Sequence, residues 1–301
     1  MCSLDGILPV WKPKGWTSHD CVMKVRKILH TRKVGHTGTL DPDVEGVLPL
    51  CIGRATKIVP FLTDTVKVYE AVVTLGYATD TEDSSGEVVE TLEVSEPFDE
   101  KAVREILHSF QGKIKQIPPM YSAVKVKGKK LYEYAREGKI VERPVREVYI
   151  HNIEKLDSIR YEDGKASFPF QVICSKGTYI RTLCVDIGRE LGYPAHMSFL
   201  ERTRTGDISK EDCFSLEEIQ KLADDEAYDK LLLPLVRGLN HLDAWQVDEE
   251  TRVRIKHGQV LPSPSQTFTS DVFCVKFQDE VLAIYQFHPE KQGKVKPVRV
   301  L

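Results

Sequence analysis

The sequence predicts an α+β protein with a small β-rich domain at its C-terminal end, and three observations carry this expectation. Apolar, strand-like runs lie at residues 6–16, 67–75 and 168–174, whereas residues 18–29 and 178–191 carry apolar side chains at helical spacing. Beyond Asp243 a short helical stretch gives way to Pro- and Ser-rich residues 261–265 and then to short strands at 272–277 and 281–287. A length of 301 residues exceeds the usual single core, which predicts one large domain over residues 1–242 and a smaller one over 243–301.

Taken in order, residues 6–16 read as a short strand followed by Pro and Gly punctuation, which makes a loop carrying Trp11 and Trp16. Ser18 is placed to cap a helix whose Val22, Val25, Ile28 and Leu29 share one face, leaving Lys24, Arg26 and Lys27 largely outward. Gly35, Gly38 and the Asp41-Pro42 pair lie within eight residues, so this segment reads as loop. Residues 46–53 are apolar, Lys67–Leu75 reads as a strand, and Thr79–Gly86 as an acidic turn. A strand at 168–174 precedes a helix that starts at Thr178, buries Ile180, Leu183, Cys184, Ile187 and Leu191, and stops at Gly192; Arg181 lies in its first turn, off the apolar face.

Hydrophobic residues at 41% and charged residues at 29% predict that the whole chain folds. Seven scattered cysteines (Cys2, Cys21, Cys51, Cys174, Cys184, Cys213 and Cys274), with no C-x-x-C pair, read as buried thiols of a reducing cytoplasm. No signal segment and no run of eighteen apolar residues is present, so neither export nor membrane insertion is expected.

Net charge is only −3, yet residues 21–57 hold seven Lys or Arg against three acids, and residues 113–146 ten against three. Such stretches suit a polyanion, although each also reads as a solvated face. The chain has no G-x-G-x-x-G after a strand, no G-x-x-x-x-G-K-[ST] and no H-E-x-x-H, which removes the usual marks of nucleotide cofactors and hydrolytic zinc. His288-Pro289-Glu290 lacks the P-C-x-x-C of zinc deaminases. Asp80, Glu82 and Asp83 lack the glutamate that closes a calcium loop.

Gly35-His36-Thr37-Gly38-Thr39-Leu40-Asp41-Pro42, followed by Gly46-Val47-Leu48 and Gly53-Arg54-Ala55-Thr56-Lys57, resembles the active-site region of the TruB family of tRNA pseudouridine synthases. The likeness continues at Lys67-x-Tyr69, at Thr79-Asp80-Thr81-x-Asp83-x-x-Gly86, at Pro118-Pro119-x-Tyr121-Ser122-Ala123 and at Ser175-Lys176-Gly177-Thr178-Tyr179-Ile180-Arg181-Thr182-Leu183.

The resemblance implies a central mixed, mainly antiparallel sheet with flanking helices, then a PUA-like C-terminal domain. It also implies isomerisation of the T-loop uridine of transfer RNA, position 55 in tRNA numbering, without metal or cofactor. Asp41 takes the place of the family's catalytic aspartate, Arg181 that of the arginine paired with it, and Tyr69 that of the tyrosine stacked on the flipped uracil. Tyr179 and Leu200 match pocket-lining positions, His36 the histidine that wedges into the loop, and Asp83 belongs to the matching acidic turn. Lys57 and Lys67 are expected at phosphates, and the basic stretch 113–146 resembles an insertion that closes over the T arm.

Residues 246–301 carry eight Lys or Arg against seven acids, which does not mark an RNA-binding face. Two alternatives stand beside the stand-alone, monomeric enzyme: an RNA-binding or tRNA-folding protein that uses the same surface, and a synthase that works with a guide RNA. The absence of a basic tail favours independence from a guide.

Overall fold

A computed structural model describes residues 4–301, so Cys2 lies outside the described residues. The chain forms two compact units. One joins the residues up to Thr65 with Arg204–Leu301, and the other is Val66–Thr203.

In the first unit, strand β1 (Gly6–Lys12) pairs antiparallel with β3 (Glu45–Ile52), Gly6 opposite Ile52 and Lys12 opposite Gly46. Between them run helix α1 (Ser18–Ile28) and the short strand β2 (Val34–His36), which also pairs with β3. The segment read as loop therefore begins as strand, because Val34 has a buried, apolar place beside Ile52.

Thr17, one residue before the expected Ser18, caps α1. The amide of Asp20 donates to the Thr17 hydroxyl, and the Asp20 carboxylate accepts from the Thr17 amide. Val22, Val25, Ile28 and Leu29 join Leu8, Val10, Leu48, Leu50 and Ile52 in one core, closed by Leu216, Ile219 and Leu231.

The C-terminal residues form a five-stranded sheet in the order Ala244–Gln246, Val272–Phe277, Glu280–Phe287, Lys294–Val300, Leu261–Pro262. Phe273, Val275, Leu282, Ala283, Tyr285 and Val295 make it a core of its own. Its Cys274 and Ile284 pack instead with Ile7, Val47, Ala55, Ile58 and Leu62. Residues 243–301 thus fall within the first unit while keeping a sheet and a core of their own.

The second unit is built on strand β4 (Lys67–Leu75), which pairs antiparallel with the strand Lys165–Cys174 from Leu75 opposite Ala166 to Lys67 opposite Cys174. Strands Arg146–Lys155 and Gly112–Gln116 extend this sheet, again antiparallel. The helix Ile180–Glu190 buries Leu183, Cys184 and Ile187 on Ala71, Val73, Phe168, Phe170 and Val172.

These antiparallel pairings and flanking helices match the expected α+β class. Of the described cysteines, Cys21, Cys51, Cys174, Cys184 and Cys274 are buried, whereas Cys213 is half-buried, because it sits beside a surface turn. No helix of the described residues is long and apolar enough to cross a membrane.

A Cβ added at Gly188 would be driven into the side chain of Ala195 and the carbonyl of Tyr193. Gly188→Ala is therefore expected to destabilise the second unit by about 1–3 kcal/mol, read from urea unfolding. An unchanged midpoint would show that the helix can move away from Ala195 and the Tyr193 carbonyl.

Candidate active site

The residues around Asp41 are held from below. The Thr37 hydroxyl and amide both donate to the Pro49 carbonyl, at 3.2 and 3.3 Å. The amide of buried Leu40 donates to the Ser18 hydroxyl at 2.9 Å. Asp41 then emerges on an exposed turn whose carbonyl accepts from the Val44 amide at 3.1 Å. The Pro42 carbonyl accepts from the Gly15 amide at 2.8 Å and from the Lys12 ammonium at 3.1 Å.

Lys12, the last residue of β1, is fully buried, and its Nζ also donates to the carbonyls of Pro13 at 2.9 Å and Trp16 at 2.5 Å. Burial lowers its pKa, while the charges of Cys21, Asp41, Asp43 and Glu45 work the other way. An ammonium has three protons to donate, and here three carbonyls take them. The clamp joins β1, the Trp16 turn and the Asp41 loop.

In the second unit Arg181 lies in the first turn of the helix Ile180–Glu190 and is only 6% exposed. Being off the apolar face, it is buried by polar neighbours instead: Nη1 donates to the Thr81 carbonyl at 3.0 Å and Nη2 to the Tyr121 carbonyl at 2.9 Å. The Asp83 carboxylate lies 3.6 Å from Nη1. Asp83 is itself fixed, its Oδ1 accepting from the Thr81 hydroxyl at 2.7 Å and from the Ser85 amide at 3.0 Å.

Glu82 adopts φ 64, a left-handed conformation uncommon for a side chain of its size, and its carboxylate accepts from the Thr182 hydroxyl at 2.8 Å. Burial raises its pKa, against the Thr182 hydrogen bond and the Arg181 and Arg143 charges, with Asp186 adding to the rise. The acidic turn is thereby stitched to the helix that carries Arg181.

Tyr179 caps that helix, and buried Gln116 holds its backbone twice. The Gln116 amide donates to the Tyr179 carbonyl at 3.1 Å, and its oxygen accepts from the Tyr179 amide at 3.0 Å. Tyr69, on β4 opposite Val172, and Leu200 are half-buried against the same core.

The structure thus brings Asp83, Tyr179 and Arg181 to one end of the helix, while Asp41, His36 and Lys57 belong to the first unit. His36 closes β2, half-buried opposite Leu50. Lys57 is exposed, with its ammonium donating to the Val300 carbonyl at 2.8 Å. Lys67 is 5% exposed, so direct contact with a phosphate would require it to be uncovered.

Sequence reasoning missed Lys12, Ser18 as a tether of Leu40, Gln116 and Glu82. A lysine at the end of an apolar strand was the one available sign, and the others are ordinary polar residues until the chain is folded. Among the described residues no three His, Cys, Asp or Glu side chains are grouped to hold a metal ion. The first unit offers an exposed aspartate on a tied loop, and the second a buried arginine held by the Thr81 and Tyr121 carbonyls.

A solved Cbf5–Nop10–Gar1 complex matches 98% of this chain and 84% of the matched chain, with TM-score 0.76 and 28% identity. An archaeal box H/ACA Nop10–Cbf5 complex matches with TM-score 0.71 and 26% identity, over 98% of this chain and 85% of its counterpart. Residues 26–180 match the TruB family pseudouridylate synthase N-terminal domain, and residues 181–240 the tRNA pseudouridylate synthase B C-terminal domain.

Fold and site therefore define a pseudouridine synthase, an enzyme of the uridine-isomerising class. Within that class the chain belongs to the TruB family. It is 56% identical to the tRNA pseudouridine synthase B of Oceanobacillus iheyensis over 99% of this chain and 97% of the relative. Against the enzyme of the same name from Bacillus subtilis it is 51% identical over 99% and 98%.

Two measurements follow from this geometry. Lys12→Met takes a donor from three carbonyls, of which Pro42 keeps the Gly15 amide, so unfolding should come several degrees lower and the saturated rate should fall more than RNA affinity. A variant with the wild-type rate would remove the clamp from catalysis.

For Glu82, a folded pKa above the ordinary 4.5 means that its contribution to stability is complete below that value and is lost as pH rises through the raised one. Glu82→Gln should therefore gain on the wild type in urea melts as pH goes from 4.5 to 7. A constant difference across that range would contradict the raised pKa.

Proposed function

We propose that this protein isomerises the T-loop uridine of transfer RNA, position 55 in tRNA numbering, to pseudouridine, with Asp41 as the carboxylate that acts on the ribose. The observation that carries the reading is the Gly35–Pro42 loop, which presents an exposed aspartate on a backbone fixed by Lys12 and Ser18. It stands in a chain of the TruB family whose Arg181 is buried and oriented.

The reaction breaks the N1–C1′ bond, turns the uracil, joins C5 to C1′ and moves the C5 proton to nitrogen, so atoms balance without redox partner or cofactor. Asp41 either attacks C1′ as a nucleophile or takes the C2′ proton; both need it ionised. Arg181 supplies a buried positive charge for the reaction, and Asp83 with the Thr81 and Tyr121 carbonyls fixes its direction.

A uridine in a folded loop has to be flipped out before its C1′ is reachable. Tyr69 stacks on the extruded base, Tyr179 and Leu200 line its pocket, and His36 fills the space it leaves. Lys57 meets phosphate from its exposed position, and buried Lys67 acts at a distance as a fixed positive charge. The basic residues 113–146 close over the T arm, and residues 243–301, with nearly balanced charge, stabilise the first unit more than they bind RNA. The enzyme works as a cytoplasmic monomer without a guide RNA, and opening the T loop also assists tRNA folding.

Incubating the protein with a T-arm stem-loop and no added metal, then analysing the nucleosides, tests this reading. Pseudouridine is expected at the T-loop uridine, and Asp41→Asn should lower the rate by more than about a thousandfold while binding changes little. Product from Asp41→Asn would end the proposed role of Asp41. Tight binding without product from the intact protein would favour the folding or guide-dependent alternatives.

A further inference from the structure

A cleft of about 340 Å³ lies between the Gly15–Trp16 turn and the outward face of α1, lined by Gly15, Trp16, Asp20, Met23, Lys24 and Lys27. The chain around it is strongly basic: residues 14–33 hold six Lys or Arg and one acid, in a protein whose net charge is −3. Lys24 and Lys27 have no ion-pair partner among the described residues.

The one acid, Asp20, is occupied. Its Oδ2 accepts from the Thr17 hydroxyl at 2.6 Å and the Thr17 amide at 2.9 Å, bonds that hold it ionised as part of the helix cap. Trp16 packs partly on the core beneath α1, and its carbonyl is held by Lys12, so the indole is a fixed platform at the cleft. Gly15 donates to the carbonyl of Pro42, the residue after Asp41, which sets this cleft directly beside the catalytic loop.

We propose that this cleft is a nucleotide subsite for the RNA strand that flanks the reacting uridine, with a base stacked on Trp16 and its phosphate held by Lys24 and Lys27. The assignment rests on the RNA substrate argued under Proposed function. An aromatic platform beside unpaired cations is the arrangement that takes single-stranded nucleotides without reading their identity. Phosphate contacts of this kind position a substrate and leave its chemistry alone.

The test measures dissociation constants for the T-arm stem-loop as a function of salt, together with single-turnover rates at saturating RNA. Lys24→Gln with Lys27→Gln should weaken binding about tenfold and reduce the slope of log Kd against log salt by about 1 to 2, while the saturated rate stays within about twofold. Trp16→Leu should weaken binding about tenfold, and Trp16→Phe should restore most of it. Lys101→Gln, on the helix Glu100–Ser109 of the other unit, should change nothing.

Wild-type affinity and salt slope in the double lysine variant would overturn the proposal. So would equal weakening by Lys101→Gln, which would reduce the effect to net charge. A wild-type protein that binds the stem-loop but makes no pseudouridine would sink the proposed function and leave this comparison readable.

Discussion

The buried ammonium of Lys12 is the constraint on which the rest of the first unit depends. A charge removed from water is costly unless polar atoms surround it, and here three backbone carbonyls, two from the turn after β1 and one from the Asp41 loop, must converge on one nitrogen. The requirement fixes where β1 ends, how the Trp16 turn is shaped and where Pro42 lies. Ser18 adds a second tie through Leu40, so the backbone on both sides of Asp41 is set while the residue itself is exposed. A group held in place before the substrate arrives has less reorganisation to undergo during reaction.

The second unit solves a similar problem with Arg181. Its guanidinium, too, donates to backbone carbonyls, those of Thr81 and Tyr121, with Asp83 at 3.6 Å. Carbonyl oxygens hold a cation in place without cancelling its charge, whereas a close carboxylate would neutralise it. The Glu82–Thr182 bond and the paired bonds from Gln116 to Tyr179 prevent the supporting turn and helix from drifting apart.

Much of this was legible in the sequence, for identifiable reasons. β4 was read with its observed ends because a run of strand formers is bounded by Thr65 and Gly76, and α1 because its apolar residues recur at helical spacing. Two strands of the C-terminal sheet, Val272–Phe277 and Glu280–Phe287, followed from their short apolar runs, whereas its other three strands were not read. Asp41 and Arg181 stood out only through the motifs around them, since an Asp-Pro pair and a helical arginine are individually common.

What stayed hidden depends on pairing between distant residues. No local pattern reveals that Ser18, an apparent cap, spends its hydroxyl on Leu40, or that Thr17 takes over the capping. Lys12 and Gln116 are ordinary polar side chains until the fold buries them. The half-buried state of Cys213 and the burial of Lys67 are likewise set by neighbours remote in sequence.

The first unit is assembled from both ends of the chain, with Ile7 bonded to Leu233, Trp11 to Phe214 and Lys57 to Val300. During synthesis from the N-terminus, Val66–Thr203 is a continuous stretch whose hydrophobic core is drawn from its own residues, all made before those late partners exist. Only the backbone partners of β1 at Leu233 and Phe214 wait for the last third of the polypeptide, while its pairing with β3 and the ties of the Asp41 loop lie within the first 52 residues. What the late residues add is the closing of the core over α1 by Leu216, Ile219 and Leu231, so the platform beneath the Asp41 loop is sealed by chain made last.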